Sequence, residues 1–244
     1  MMSKRFLWIP IFLAILLTAA AAHANMIEVY ENGGFEADAA LVPNPGDIRE
    51  GLPTGWQFDD YNEDGIAPVL MNVSGIGDGS GGTVGLRFPN ASGGGKYSAI
   101  TPLTTSLKPI EVGHYTYTTV FTGIGLDNYL DKYYGGIYTN VYWTSTPNDP
   151  WADYDHVADI GWVSSDEIGD GEWTTRSIDF EILPEDLVSG RYIIPYFETK
   201  SFRGHIILGE ASLVRNNPVP EPGTMLLLGT GILGLAGLRK KLKK

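Results

Sequence analysis

The stretch Glu172–Ile182 reads EWTTRSIDFEI, and its alternation decides the fold. Thr174, Arg176, Ile178, Phe180 and Ile182 fall on one side of an extended chain; Trp173, Thr175, Ser177, Asp179 and Glu181 fall on the other. Successive side chains of a strand leave opposite faces, so Ile178, Phe180 and Ile182 mark a core-facing side. Outward from this stretch the same kind of signal recurs at 27–31, 67–74, 83–88, 96–102, 114–122, 136–145, 157–164, 191–199 and 204–214, with clusters of Gly, Pro, Asn and Asp between. No convincing long amphipathic helix interrupts the series. So many short strands do not fit one flat sheet with protected edges, and the pattern predicts an all-β, two-sheet antiparallel jelly-roll sandwich.

Composition agrees. The chain has 244 residues with 31 Gly, 15 Pro, 13 Tyr and 6 Trp, and 19% of it is charged, a mix too aromatic for disorder and too turn-rich for a helical bundle. Seven of its 17 Lys and Arg lie in the termini (Lys4, Arg5, Arg239, Lys240, Lys241, Lys243 and Lys244), so the segment 25–217 keeps ten bases against 28 acids. That balance argues against nucleic acid and against anionic membrane surfaces as partners of the domain. With no cysteine, disulfides, thiolate metal sites and thiol nucleophiles are excluded.

The two ends carry addresses. Residues 1–24 open with Lys4 and Arg5, run apolar from Phe6 to Ala22 and close on Ala22-His23-Ala24, the pattern of a secretory signal peptide cleaved after Ala24. From Pro218 the chain reads PVPEPGTMLLLGTGILGLAGLRKKLKK: a proline-rich break, an apolar run over 223–238 and a basic tail over 239–244. Sixteen helical residues rise about 24 Å, short of a hydrocarbon core of about 30 Å, and snorkelling bases can close the gap. By the positive-inside rule the tail stays cytoplasmic and the domain lies outside. The expected organisation is therefore a signal peptide over 1–24, a β-sandwich over 25–217 and a membrane-targeting end over 218–244.

This C-terminal end resembles the PEP-CTERM sorting signal, with Pro220, Glu221 and Pro222 as the triplet ahead of helix and tail. The resemblance implies recognition at the inner membrane by an exosortase and processing near the triplet. Transient anchoring by the helix would be followed by release to the cell surface or extracellular matrix, commonly in species that make exopolysaccharide and biofilm.

A second resemblance lies inside the domain. Asn32-Gly33-Gly34-Phe35-Glu36 followed by Gly55-Trp56, and a closing Gly209-Glu210-Ala211-Ser212-Leu213, are similar to the first and last strands of galactose-binding-like jelly-roll carbohydrate-binding modules. The resemblance implies a structural calcium held partly by Glu36. The last-strand carboxylate of that pattern is replaced here by Gly209.

Three further sites follow from the residues. Asp60-Tyr61-Asn62-Glu63-Asp64-Gly65 matches half of a calcium loop, with Asp60, Asn62 and Asp64 as oxygen ligands, but the twelfth position is Met71, so a complete EF-hand is excluded and an acidic solvated turn stays an open alternative. In 136–145, Tyr138, Asn140 and Tyr142 share one face; in 191–199, Tyr192, Tyr196 and Glu198 share another. Flat aromatic rings beside amides and carboxylates suit the apolar faces and hydroxyls of a polysaccharide, and tyrosines capping a sheet or lying under loops are the alternative. His114, His156 and His205 stand apart, no Gly-x-Ser-x-Gly elbow occurs, and the glycine run 75–82 lacks the lysine of a phosphate-binding loop. A non-enzymatic exported protein that binds extracellular polysaccharide is the expectation; a structural coat or adhesion protein is the alternative, and a hydrolase a distant third.

Overall fold

A computed structural model describes residues 26–30, 32–60, 67–88, 97–103, 107, 110–127, 135–145, 154–187, 191–200 and 203–216. The signal-peptide residues, with Ala22 and Ala24, and the sorting end, with Pro220, Glu221 and Pro222, lie outside them, as do Asn62 and Asp64. Twelve strands follow in chain order: β1 (Met26–Glu28), β2 (Ile48–Glu50), β3 (Trp56–Asp60), β4 (Val69–Asn72), β5 (Val84–Phe88), β6 (Tyr97–Pro102), β7 (Gly113–Asp127), β8 (Gly136–Thr144), β9 (Tyr154–Ser164), β10 (Thr174–Ile182), β11 (Tyr192–Lys200) and β12 (Arg203–Asn216). They form two antiparallel sheets. One has the order β10-β7-β12-β5-β4-β2, with β1 also pairing β12, and the other the order β3-β6-β11-β8-β9.

The strand that opened the sequence reading behaves as its pattern requires. β10 pairs β7 with Ile178 opposite Tyr117 and Phe180 opposite Tyr115. The Tyr115 and Phe180 rings stack at 5.6 Å, Ile182 is buried, and Ile178 and Phe180 pack against the core. On the other face Thr116 Oγ1 donates to Asp179 and Thr118 bonds Ser177, a hydroxyl ladder facing water. Phe88 of β5 and Phe121 of β7 meet Phe197 of β11 at 5.4 and 6.4 Å between ring centroids, which joins the sheets through one aromatic contact. The buried Tyr117 hydroxyl crosses the same interior to Thr139 of β8 at 2.8 Å, and burial pushes its pKa well up. A buried hydroxyl requires such a partner.

The Asn32–Trp56 motif is a structural corner. Asn32 and Phe35 both adopt left-handed φ, 62° and 59°, which turns the chain from β1 into a 3-10 turn over Glu36–Leu41. Buried Asp38 is its hub: its carboxylate accepts from Asn32 Nδ2 (2.8 Å), Thr54 N (2.8 Å) and Thr54 Oγ1 (2.7 Å). The Trp56 indole N–H donates to the Asn32 carbonyl, and its ring packs edge-on to Tyr30 and Phe35 at 5.5 and 5.3 Å. A Cβ on Gly33 would stand 3.1 Å from the Ser212 backbone, so a larger residue would push this turn away from β12.

Two strands escape the sequence pattern. β2 is three residues long and exposed along its length, so it carries no inside-outside signal. β3 begins at the Gly55-Trp56 turn and pairs β6 from Trp56 opposite Pro102 to Asp60 opposite Ser98.

Candidate functional site: the outward face of the five-stranded sheet

β8 and β11 are neighbours at the centre of the five-stranded sheet, paired from Tyr192 opposite Thr144 to Lys200 opposite Gly136. Ile137, Val141, Ile193 and Phe197 enter the main core. Alternation therefore sends Tyr138, Asn140, Tyr142, Tyr192, Ile194, Tyr196 and Glu198 to the outward face. The two tyrosine faces read separately from sequence thus merge into one surface. β9 completes it, with Trp162 opposite Tyr138, Asp159 opposite Asn140 and His156 opposite Tyr142. The register shifts between Thr139 and Asn140 and between Val141 and Tyr142 are bulges in β9 that keep both Ala158 and Val163 in the core while these three face outward.

Burial divides the aromatics into two groups. Tyr142 and Tyr196, only 4% and 3% exposed, form a second apolar cluster with Ala99 and Ile194, against which Leu107 and Tyr138 pack. Their rings meet edge to face at 5.2 Å, Tyr138 meets Tyr196 at 6.3 Å, and His156 meets Tyr142 at 4.7 Å. Trp162, by contrast, is 36% exposed, and Tyr138 and Tyr192 are half-buried. The aromatic residues that reach solvent here are accordingly Trp162, Tyr138 and Tyr192, while Tyr142 and Tyr196 hold the floor.

The hydroxyls of this floor are tied together. With its amide turned so that oxygen faces donors, Asn140 accepts from the Tyr138 and Tyr142 hydroxyls at 2.6 and 3.1 Å and donates to Asp159 Oδ1 at 2.5 Å. The Tyr196 hydroxyl donates to Glu198. Burial raises the Glu198 pKa, against lowering by that hydrogen bond and by nearby Lys200. Farther along the sheet Gln57 Nε2 donates to Thr101 Oγ1 at 2.9 Å.

One line of residues crosses the whole sheet. Trp162 faces Tyr138, Tyr138 faces Glu198, Glu198 faces Ala99 and Ala99 faces Asp59. Four strand spacings give the line a length of about 19 Å. It starts on an exposed indole, passes a half-buried phenol and a half-buried carboxylate, crosses the small Ala99 and ends on a second carboxylate. Trp162 is absent from the sequence reading of this face, although it alternates with the core residue Val163; what places it beside Tyr138 is the β8–β9 register.

The other candidate sites separate. Asp60 ends β3, and the rest of its loop lies outside the described residues. Glu36 Oε1 accepts from the Thr83 backbone N–H at 2.6 Å. A Cβ on Gly209 would stand 2.6 Å from the Gly81 carbonyl and 3.0 Å from the Trp173 ring, so a carboxylate does not fit where the calcium-binding pattern would need one. The indole of Trp173 fills that place, walled by Gly77, Gly81 and Gly209, with its N–H on the Ile76 carbonyl at 2.9 Å. The glycine run 75–82 is therefore wrapped around a tryptophan. Among the described residues no three His, Asp or Glu side chains are grouped to hold a metal ion.

Fold and surface together define a two-sheet antiparallel β-sandwich with an aromatic and polar outward face. The chain's C-terminus identifies its handling more sharply: residues 218–241 match the PEP-CTERM protein-sorting motif. That motif implies an exosortase partner and export by a route that passes from membrane anchoring to the surface. Among the described residues no helix is long and apolar enough to cross a membrane, and the expected helix 223–238 lies outside them. No curated protein matches the chain in sequence.

Solved structures similar to the chain are of low sequence identity to it. A cyclase from Fischerella sp. in its apo form is 15% identical with a TM-score of 0.54, covering 79% of this chain and 97% of its own. TmCBM61, solved in complex with β-1,4-galactotriose, is 15% identical with a TM-score of 0.46, covering 78% and 99%. A cleaved adhesin domain of Lys-gingipain from Porphyromonas gingivalis is 18% identical with a TM-score of 0.43, covering 70% and 98%. At this identity the likeness to the cyclase extends to the fold alone.

Proposed function

We propose that the chain is an exosortase-sorted protein of the cell surface or extracellular matrix, whose sandwich binds extracellular polysaccharide on the outward face of the five-stranded sheet without catalysing its cleavage. The observation that carries this reading is the exposed Trp162 ring set beside Tyr138 at the head of a line running through Glu198 to Asp59. An indole held on a rigid strand offers a flat apolar face to a sugar ring at small entropic cost. Glu198, Asp159 and Gln57 supply acceptors and donors beside it, and the buried Asn140 amide fixes the Tyr138 and Tyr142 hydroxyls and Asp159 in place. The buried Tyr142–Tyr196–Ile194 cluster fixes the floor, so the face is organised before any ligand arrives.

A glycan array probed with the full chain tests the proposal. Selective binding that weakens in Trp162→Ala is the expected result. Silence across the array would return the chain to a purely structural coat or adhesion role, and release of reducing sugar from a bound glycan would overturn the non-catalytic part.

A further inference from the structure

The opposite sheet carries a charge with no counterpart among the described residues. β5 and β12 pair with Arg87 opposite Ile207 and Phe88 opposite Ile206. Leu86, Phe88, Ile206 and Leu208 lie in the core, so alternation turns Arg87, Ile207 and His205 to the outward face of the seven-stranded sheet. On the other side of Arg87 stands Val69 of β4. Arg87 thus sits between two apolar neighbours, with His205 diagonal to it across the ladder at about 7–8 Å between backbones.

Both side chains are half-buried, and each leaves one nitrogen unsatisfied. Arg87 Nε and His205 Nδ1 are both sealed from solvent and have no hydrogen-bond partner among the described residues. Burial, then the Arg87 charge, pulls the His205 pKa down, against a smaller raising effect from the Phe88 backbone. The ion pairs among the described residues engage His114, Arg191 and Arg215 and pass Arg87 by. The acid in its own cross-strand row, Glu50, faces Val69 from the exposed strand β2, beyond that valine. In a segment with 28 acids and ten bases, a sealed guanidinium Nε that meets no acceptor among the described residues runs against the rule that buried donors are paired.

We infer that Arg87 and His205 form an anion receptor whose ligand is an oxyanion of an acidic sugar, a uronate carboxylate or a sulfate ester. The guanidinium fork matches the two oxygens of either group, His205 adds a donor once protonated by the anion's approach, and the Val69 and Ile207 flanks keep the local dielectric low. The site lies on a different sheet from Trp162 and does not rest on the proposed polysaccharide face.

The test uses the full chain in detergent micelles, titrated with sodium glucuronate, sodium sulfate or glucose at an ionic strength held with chloride. Calorimetry and the His205 imidazole nitrogen resonances report binding. The expected result is a saturable response to one or both anions and none to glucose. Glucuronate alone identifies a carboxylate ligand, and sulfate alone a sulfate ester. Arg87→Gln should weaken the interaction at least about tenfold, the scale of losing a charge-assisted pair. Arg87→Lys keeps the charge but removes the fork, so it should weaken binding too, and it carries the test should the glutamine variant fail to fold. Absence of a saturable response to either anion, or wild-type affinity in the folded Arg87 variant, overturns the inference.

Discussion

The two outward faces of the sandwich obey the same period-two rule and dress it differently. On the seven-stranded sheet, β7 and β10 meet through Thr116–Asp179 and Thr118–Ser177, short side chains that satisfy each other and leave nothing to stack on. On the five-stranded sheet, β8, β9 and β11 carry Tyr138, Tyr142, Trp162, Tyr192 and Tyr196 on the same side of the strands. Alternation decides which residues leave the core; their chemistry then decides whether the surface is a solvated ladder or an aromatic platform. Within the platform the division repeats, because Tyr142 and Tyr196 are as buried as core residues while Trp162 is open.

The sharpest way to break this contrast is to truncate its supposed floor. Tyr142→Ala and Tyr196→Ala should each cost about 3 kcal/mol or more in chemical denaturation, as large-to-small changes in a packed site do. Thr118→Ala on the opposite ladder should cost no more than about 1 kcal/mol, one exposed hydrogen bond. Equal losses on the two faces would dissolve the distinction between floor and ladder.

Binding should sort the other way. Trp162→Ala should weaken glycan binding by about 1 kcal/mol or more, a fivefold or larger rise in Kd, with the melting temperature nearly unchanged. Unaltered affinity in a fluorescence or calorimetric titration would move the binding surface off this face.

The two sheets should also respond to pH with opposite slopes. Burial raises the Glu198 pKa above its ordinary 4.5, so the unfolded chain releases that proton first and stability falls as pH climbs through 4.5 toward the folded value. Glu198→Gln should therefore stabilise the protein at neutral pH, an advantage that fades below about pH 4.5 where both states are protonated. His205 is held below its ordinary 6.5, so its contribution is present above 6.5 and is lost as pH falls through the depressed value. Denaturation midpoints of His205→Gln across that range should lack this acid-side loss. A wild-type pH profile in both variants would contradict the assignment.

The smallest expected effect concerns calcium. Because Gly209 leaves no room for a carboxylate, Glu36→Gln should leave the difference between melts in calcium and in chelator unchanged to within about a degree, far below the shift that a saturated site contributes through mass action. A calcium response abolished by this substitution would restore the site.

Much of this was legible from residue order because it depends on alternation alone. Ile178, Phe180 and Ile182 point inward, and Tyr138 with Asn140 and Tyr142 share a side, whatever partners they meet. Pairing is another matter. That Trp162 abuts Tyr138, that Glu198 lies between Tyr138 and Ala99, and that His205 sits diagonal to Arg87 all follow from registers set across 24 or more residues of chain, and local pattern carries no trace of them. β2 was silent because a short exposed strand has no face to bury. The Asn32–Trp56 motif was visible as a spelling; its physical reason, a left-handed corner built on the Asp38 carboxylate, needed the fold.

The glycine collar around Trp173 has a consequence for survival outside a cell. A protease must draw a segment of loop into its cleft in extended form, and a run such as Gly75–Gly82 is ordinarily the first to yield. Here that run closes on an indole, with a hydrogen bond from the ring to the Ile76 carbonyl, so cutting it requires the latch to open first. Limited proteolysis should leave the wild-type loop intact while nicking Trp173→Ala within 75–82, and equal cleavage of both would show that the collar confers no such protection. A protein sent to the exterior without a single disulfide would in this way harden a glycine-rich loop by packing alone.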